Sequence, residues 1–214
     1  MLELGVSYYP EHYSPDEWPT DLDRMREIGL SVIRMLDFAW TAIEPREGEY
    51  TFEWLDQFLD LAAEKGFRVV LCTPTATPPA WLARQYPEIM IELRNGTRCA
   101  FGKRRDVCVN STIYRHYSRE LARVLGTRYG THPAVTGWQI DNELMGPEGV
   151  PPECHCPECT WRFRQWLKNR YPSLDELNAA WWTRFWNQEY SDWGEIDTAR
   201  SPRATQGHCL DYAR

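Results

Sequence analysis

Residues 2–18 read "LELGVSYYPEHYSPDEW", and the turn inside them separates two folds. "LELGVSYYP" (2–10) is a short strand stopped by Pro10, and a helix follows it. Ser14 suits the N-cap and Pro15 the first helical position. Asp16 and Glu17 favour the positive end of the helix dipole, and Trp18, Leu22, Met25 and Ile28 recur at helical spacing before Gly29. Strands alternating with such helices pair in parallel through right-handed crossovers, either in an open doubly wound sheet or in a closed barrel of eight units. The turn "YYPEHYSPDEW" (8–18) has no Gly-rich phosphate fingerprint, which counts against a nucleotide-binding open sheet. The expected fold class is therefore α/β, a (β/α)8 TIM barrel.

The alternation continues downstream. "SVIRML" (31–36) is a second strand, and Thr51 can cap a helix whose apolar side carries Leu55, Phe58, Leu59 and Ala62 before Gly66. "FRVVLCT" (67–73) is a third strand, followed by a long loop with a short helix near 79–85. Ser111 opens a longer helix ending by Gly130, and "AVTGWQI" (134–140) is the fourth strand. Four units are about half of the roughly 250 residues of a complete barrel. Residues 157–190 read as further helices, and "RSPRATQGHCLDYAR" (200–214) holds no strand-like run. The expectation is that 1–214 forms the N-terminal part of a catalytic barrel domain, with about the first half of the barrel present.

Composition narrows the partners. A chain of 214 residues, 43% hydrophobic and 26% charged, has material for a substantial core. Its formal charge of -7 disfavours nucleic acid and anionic membrane, which require a cationic face. Eleven Trp and eleven Tyr supply flat faces of the kind on which sugar rings stack. No run approaches a transmembrane length, and "MLELGVSYYP" lacks the basic-then-apolar pattern of a signal peptide, so a cytoplasmic location is expected. Seven Cys in that compartment read as thiols or metal ligands rather than a disulfide framework.

The chemistry concentrates in "GWQIDNELMG" (137–146), where a buried-looking strand ends on Asp141, Asn142 and Glu143. A turn explains Asp and Asn, whose side chains bond their own backbone. It does not call for Glu. In a barrel, catalytic groups stand at the C-terminal ends of strands, where Glu143 is placed. Glycosidic cleavage needs a carboxylic acid on the leaving oxygen and a second carboxylate about 5 Å away in retaining enzymes. Glu143 can supply the acid, Asn142 can bond the sugar 2-OH, and Asp141 is assigned to the turn. His12, in "PEHY", has no visible partner and reads as a packed or solvent-facing residue.

Several stretches together resemble one family. "GVSYYPEH" (5–12), "FAWTAIEPREGEYTFEWLD" (38–56), "TPTATPPAWL" (73–82), "WQIDNE" (138–143), the Cys cluster and "FWNQEY" (185–190) look like the N-terminal half of a family 42 glycoside hydrolase, a β-galactosidase. The resemblance covers nearly the whole chain. It implies a retaining exo-glycosidase acting on terminal β-D-galactosyl residues of β-galactosides or galacto-oligosaccharides, with Glu143 as general acid/base. It also implies that Asn142 and Arg104 of "GKRRDVC" contact the galactose, that Trp186 lines the same pocket, and that the full-length protein is a homo-oligomer, a trimer. Arg104 is chosen over Arg105 by alignment to the motif, since a basic run is otherwise a solvated face. Asp37 in "MLDFAW" stands where the family pattern is expected to carry Glu. The nucleophile is expected from a later strand, so the 214 residues alone are expected to be inactive.

"CHCPEC" (154–159) sets Cys154, Cys156 and Cys159 close enough to converge on one tetrahedral ion, and zinc accepts all-thiolate structural sites. His155, Cys99 and Cys108 are candidates for the fourth ligand. Cys108 lies on the loop after the third strand, beside the loop after the fourth in a barrel, and the family pattern points to it too. Four thiolates leave no open position, so such zinc would be structural. Cys72, Cys99 and Cys209 read as ordinary thiols. The competing functions are a related barrel glycosidase, an α-L-arabinopyranosidase or β-fucosidase, and a non-catalytic sugar- or zinc-binding fragment. A zinc-ribbon interaction module conflicts with the acidic charge and with the lack of a second C-x-x-C.

Overall fold

The computed structural model describes residues 3–143, 153–201 and 204–214. Leu144 and Met145, which frame the polar trio in the sequence, lie outside the described residues. The chain divides into two compact units, 1–87 with 115–144, and 88–114 with 145–214.

The first unit is built on four parallel strands, β1 (Gly5–Ser7), β2 (Val32–Met35), β3 (Arg68–Cys72) and β4 (Val135–Gln139), in the order β1-β2-β3-β4. Sequential order is what a barrel requires, whereas a doubly wound sheet reverses direction at a switch point. Between the strands run α1 (Trp18–Glu27), α2 (Trp40–Ile43), α3 (Glu53–Glu64), α4 (Ala80–Gln85) and α5 (Thr112–Tyr129).

Register explains the two faces of the sheet. Ser7 pairs with Arg34, Arg34 with Val70, and Val70 with Gly137. Neighbours in a parallel sheet share a face, and residues two apart return to it. Ser7, Arg34, Val70, Cys72, Gly137 and Gln139 therefore occupy one face. The other carries Ile33, Met35, Val69 and Leu71, all fully buried together with Leu55, Phe58 and Leu59 of α3. At roughly 25 cal/mol per Å2 of apolar surface, each of these large side chains contributes on the order of 1.5–3 kcal/mol.

Two expected caps are placed differently. α1 begins at Trp18 rather than beside Pro15, because residues 15–17 form a turn and the Glu17 carboxylate accepts from the Ser14 N–H at 3.0 Å. Thr51 does not cap α3: its hydroxyl donates to the Ala42 carbonyl at 2.8 Å, and Phe52 takes the N-cap position. Ser111 does cap α5, its Oγ accepting from the Tyr114 N–H.

The second unit carries α6 (Pro157–Arg170), α7 (Leu174–Trp181) and α8 (Gln206–Tyr212). Phe163, Leu167, Leu177, Trp181 and Ile196 form its apolar centre. The terminal stretch, without a strand-like run, is helical from Gln206, with Thr205 accepting from the His208 N–H.

Candidate functional site

Where β4 ends, the backbone turns through two left-handed residues, Asp141 (φ 59) and Glu143 (φ 48). For non-glycine residues that conformation is uncommon and clusters at functional sites. Local bonds hold it: the Asp141 N–H donates to Thr73 Oγ1 at 2.7 Å, and Thr75 Oγ1 donates to Asp141 Oδ2 at 2.7 Å. Asn142 between them is buried at 8% exposure, and Glu143 is exposed.

Beneath Asn142 lies Arg34. Its Nε donates to Gln139 Oε1 at 2.6 Å, Nη1 to Ser7 Oγ at 3.2 Å, and Nη2 to Asn142 Oδ1 at 2.7 Å. Nη2 also pairs with Asp37, whose side chain is fully buried. Gln139 Nε2 in turn donates to the Asp141 carbonyl at 2.9 Å. Cys72, on the same sheet face, has its thiol pushed up to about 12, by burial first and then by Asp37. Glu11, just beyond β1, keeps both carboxylate oxygens buried without a hydrogen-bond partner among the described residues, and burial raises its carboxyl above the usual range. His12 is exposed and stacks on Tyr9 at 5.7 Å.

The other two expected sugar contacts belong to the second unit. Arg104 is exposed on the segment before Cys108. Trp186 is 79% exposed in a left-handed conformation (φ 64), edge-on to Phe185 at 5.2 Å.

The second unit also gathers Cys108, Cys154, Cys156 and Cys159, all buried, with their sulfurs within 4.8 Å of one another. Cys108 lies 3.4 Å from Cys159 and 3.8 Å from Cys156. Cys156 is the N-cap of α6 and Cys159 lies in its first turn, where the dipole favours thiolate. Around Cys154 the Glu92 N–H lies 3.5 Å from its sulfur, and Asn110 Nδ2 donates to Cys159 at 3.4 Å. Hydrogen bonding among the sulfurs, from Cys108 first, holds the Cys154 thiol down at about 7 and pulls Cys156 lower still. Cys108 is raised, by its bonds to Cys154 and Cys156. Four buried soft donors at this spacing fit a tetrahedral metal ion without an open coordination position. Of the alternative fourth ligands, His155 is turned to Thr198, its Nδ1 2.7 Å from the hydroxyl, and Cys99 packs beside the group without joining it.

Residues missed by sequence reasoning are Arg34, Gln139 and Ser7. The only local signal is a charged residue in the middle of the apolar run "SVIRML".

Comparison with known proteins agrees with the fold. Residues 7–214 match the glycoside hydrolase 42 family, described as beta-galactosidase. Beta-galactosidase BgaH of Haloferax lucentense is 44% identical over 215 residues, covering 100% of this chain and 32% of that protein. The beta-galactosidase of Thermus thermophilus is 45% identical over 215 residues, covering 99% of this chain and 33% of that protein. The solved beta-galactosidase of the Antarctic haloarchaeon Halorubrum lacusprofundi superposes with a TM-score of 0.92 at 41% identity, over 99% of this chain and 32% of its own. The chain spans about a third of the length of the curated relatives it matches. The parallel sheet in sequential order matches part of the barrel in such structures, as the expected fold class requires. With the family pattern running from residue 7 onward through the strands, the Asn142–Glu143 turn and the cysteine cluster, the chain belongs to glycoside hydrolase family 42.

Proposed function

We propose that this chain is part of a retaining exo-β-galactosidase in which Glu143 is the general acid/base. The observation that carries the reading is the placement of Asn142 and Glu143 together at the C-terminal end of a parallel strand, in a chain of this family. Glu143 would protonate the glycosidic oxygen as the bond to the leaving group breaks, then deprotonate the water that releases the sugar. A second carboxylate about 5 Å away would be the nucleophile, supplied by a later strand of the complete protein. Asn142 would bond the sugar 2-OH, a contact that strengthens toward the oxocarbenium state. Arg104 and Trp186 would line the galactose subsite.

Cys108, Cys154, Cys156 and Cys159 would hold one zinc ion in a structural role, tying the segment before α5 to the start of α6. The reading places the protein in the cytoplasm, a compartment in which cysteines stay as thiols or metal ligands. Among the described residues no helix is long and apolar enough to cross a membrane. The net charge of -7 speaks against nucleic acid as a partner, and the complete protein would be a homo-oligomer.

A panel of nitrophenyl glycosides offered to the complete protein tests the reading. The β-D-galactoside is expected among the best substrates. A clear preference for the α-L-arabinopyranoside or β-fucoside would reassign the specificity.

A further inference from the structure

A guanidinium has five donors and no acceptor, so whatever faces it must accept. That fact fixes two amides in the first unit. Gln139 presents Oε1 to Arg34 at 2.6 Å, which leaves its Nε2 donating to the Asp141 carbonyl at 2.9 Å and toward Asn142 Oδ1 at 3.4 Å. Asn142 presents Oδ1 to Arg34 at 2.7 Å. Its oxygen is thus turned to two donors, and its Nδ2 donates to no described residue. We propose that Arg34, anchored by the fully buried carboxylate of Asp37, is a positioning residue that poles the Asn142 amide, so that Asn142 offers the sugar N–H donors and no acceptor.

The anchor is built for this purpose. Arg34 stands on β2, and its four acceptors come from β1 (Ser7), the segment after β2 (Asp37), β4 (Gln139) and the turn after β4 (Asn142). Asp37 follows Leu36, a buried residue held at φ 84, so the backbone is reversed to bring the carboxylate under the guanidinium. Reversing the Asn142 amide would set its NH2 group against Nη2, donor against donor, in a buried place where an unmet donor is costly. A lysine has one nitrogen and cannot meet acceptors spread along a planar fork.

The inference rests on the galactosidase reading and predicts its selectivity: the sugar hydroxyl over Asn142 must act as acceptor there. The experiment compares a β-galactoside with its 2-deoxy analogue on the complete protein. Arg34→Lys is expected to shrink the ratio of kcat/KM between the two substrates by about tenfold, and to add little when Asn142 is already Ala. Asn142→Asp keeps an acceptor toward Arg34 but has no donor for the sugar. It is expected to melt no lower than the parent protein and to lose the preference for the 2-hydroxyl as fully as Asn142→Ala. Should Arg34→Lys not fold, Asn142→Asp alone decides. Multiplicative losses for Arg34→Lys and Asn142→Ala, or retained 2-hydroxyl preference in Asn142→Asp, would overturn the proposal while leaving the activity in place. A parent protein that cleaves no β-galactoside would instead overturn the reading on which it rests.

Discussion

The backbone N–H of Asp141 is bonded to the hydroxyl of Thr73 at 2.7 Å, so the turn after β4 hangs on the end of β3. Thr73 is 5% exposed, and its own N–H donates to the Gln139 carbonyl at 2.9 Å. The hydroxyl is therefore what pins a left-handed residue whose chain neighbours are Asn142 and, next, Glu143. Thr73→Val keeps the shape and removes the acceptor, leaving a part-buried N–H unmet at a cost of about 1–3 kcal/mol. In the complete protein this should lower Tm and reduce kcat more than it raises KM, whereas Thr73→Ser should preserve both. Wild-type kinetics in Thr73→Val would show that the bond does not hold the site.

Glu143→Gln removes the proton that Glu143 is proposed to give. Substrates with poor leaving groups need that proton most, so their turnover should fall by about 100-fold or more, the usual range for general acid catalysis. Activated aryl galactosides should lose less in the step that forms the glycosyl-enzyme. The check is kcat/KM across a series of aryl galactosides of graded leaving-group pKa. A loss equal across the series would sink the acid role.

Cys156→Ser removes one of four sulfurs and leaves three buried thiols crowded within 4.8 Å. With zinc bound in the parent, the variant should lose the metal and melt at a lower temperature. Relative rates on different glycosides should stay the same, because four thiolates leave the metal no open position for substrate. Metal analysis of the purified variant and a thermal melt decide it. A full equivalent of zinc in Cys156→Ser would show that the ligand set is different.

β2 and β3 were legible as largely apolar runs, β4 by the alternation of Trp138 and Ile140 around Gln139, and β1 by the stop at Pro10 and the helix pattern after it, while Asn142–Glu143 stood out because polar groups rarely end such a strand together. Three cysteines were legible from local spacing, while the fourth needed a loop pairing or a family pattern. Ser14 and Thr51 misled because a cap is decided by where the hydroxyl finds its partner. In Thr51 that partner is the Ala42 carbonyl. Arg34 showed only as a charge inside an apolar run, which gave its position but not its role. A charged residue inside a strand reads as solvent-facing until the register sets Ser7 beside it and Gln139, 105 residues away, within 2.6 Å.

His208 gives a prediction with a definite sign. Its ring lies nearly parallel to those of Trp181 (4.5 Å, 8° between planes) and Phe163 (5.8 Å, 4°), which are themselves 6.4 Å apart, with Nε2 2.9 Å from the Asp197 carbonyl. Burial holds its pKa below the ordinary histidine value, although the bond to the Asp197 backbone and the charges of Asp197 and Asp211 pull the other way. As pH falls past the ordinary value of about 6.5, the unfolded chain takes up a proton that the folded ring resists. The unfolded state then binds more protons, so this contribution to stability is present above that pH and is lost as pH falls through the lowered folded value. His208→Phe keeps a flat ring in the stack and removes the titration, at the cost of the bond to the Asp197 carbonyl. It should be less stable than the parent near neutrality but lose less between about pH 7.5 and about pH 5.5, as read from urea midpoints. Parallel pH profiles for the two proteins, or a His208 ring titrating at or above the ordinary value by NMR, would refute the assignment.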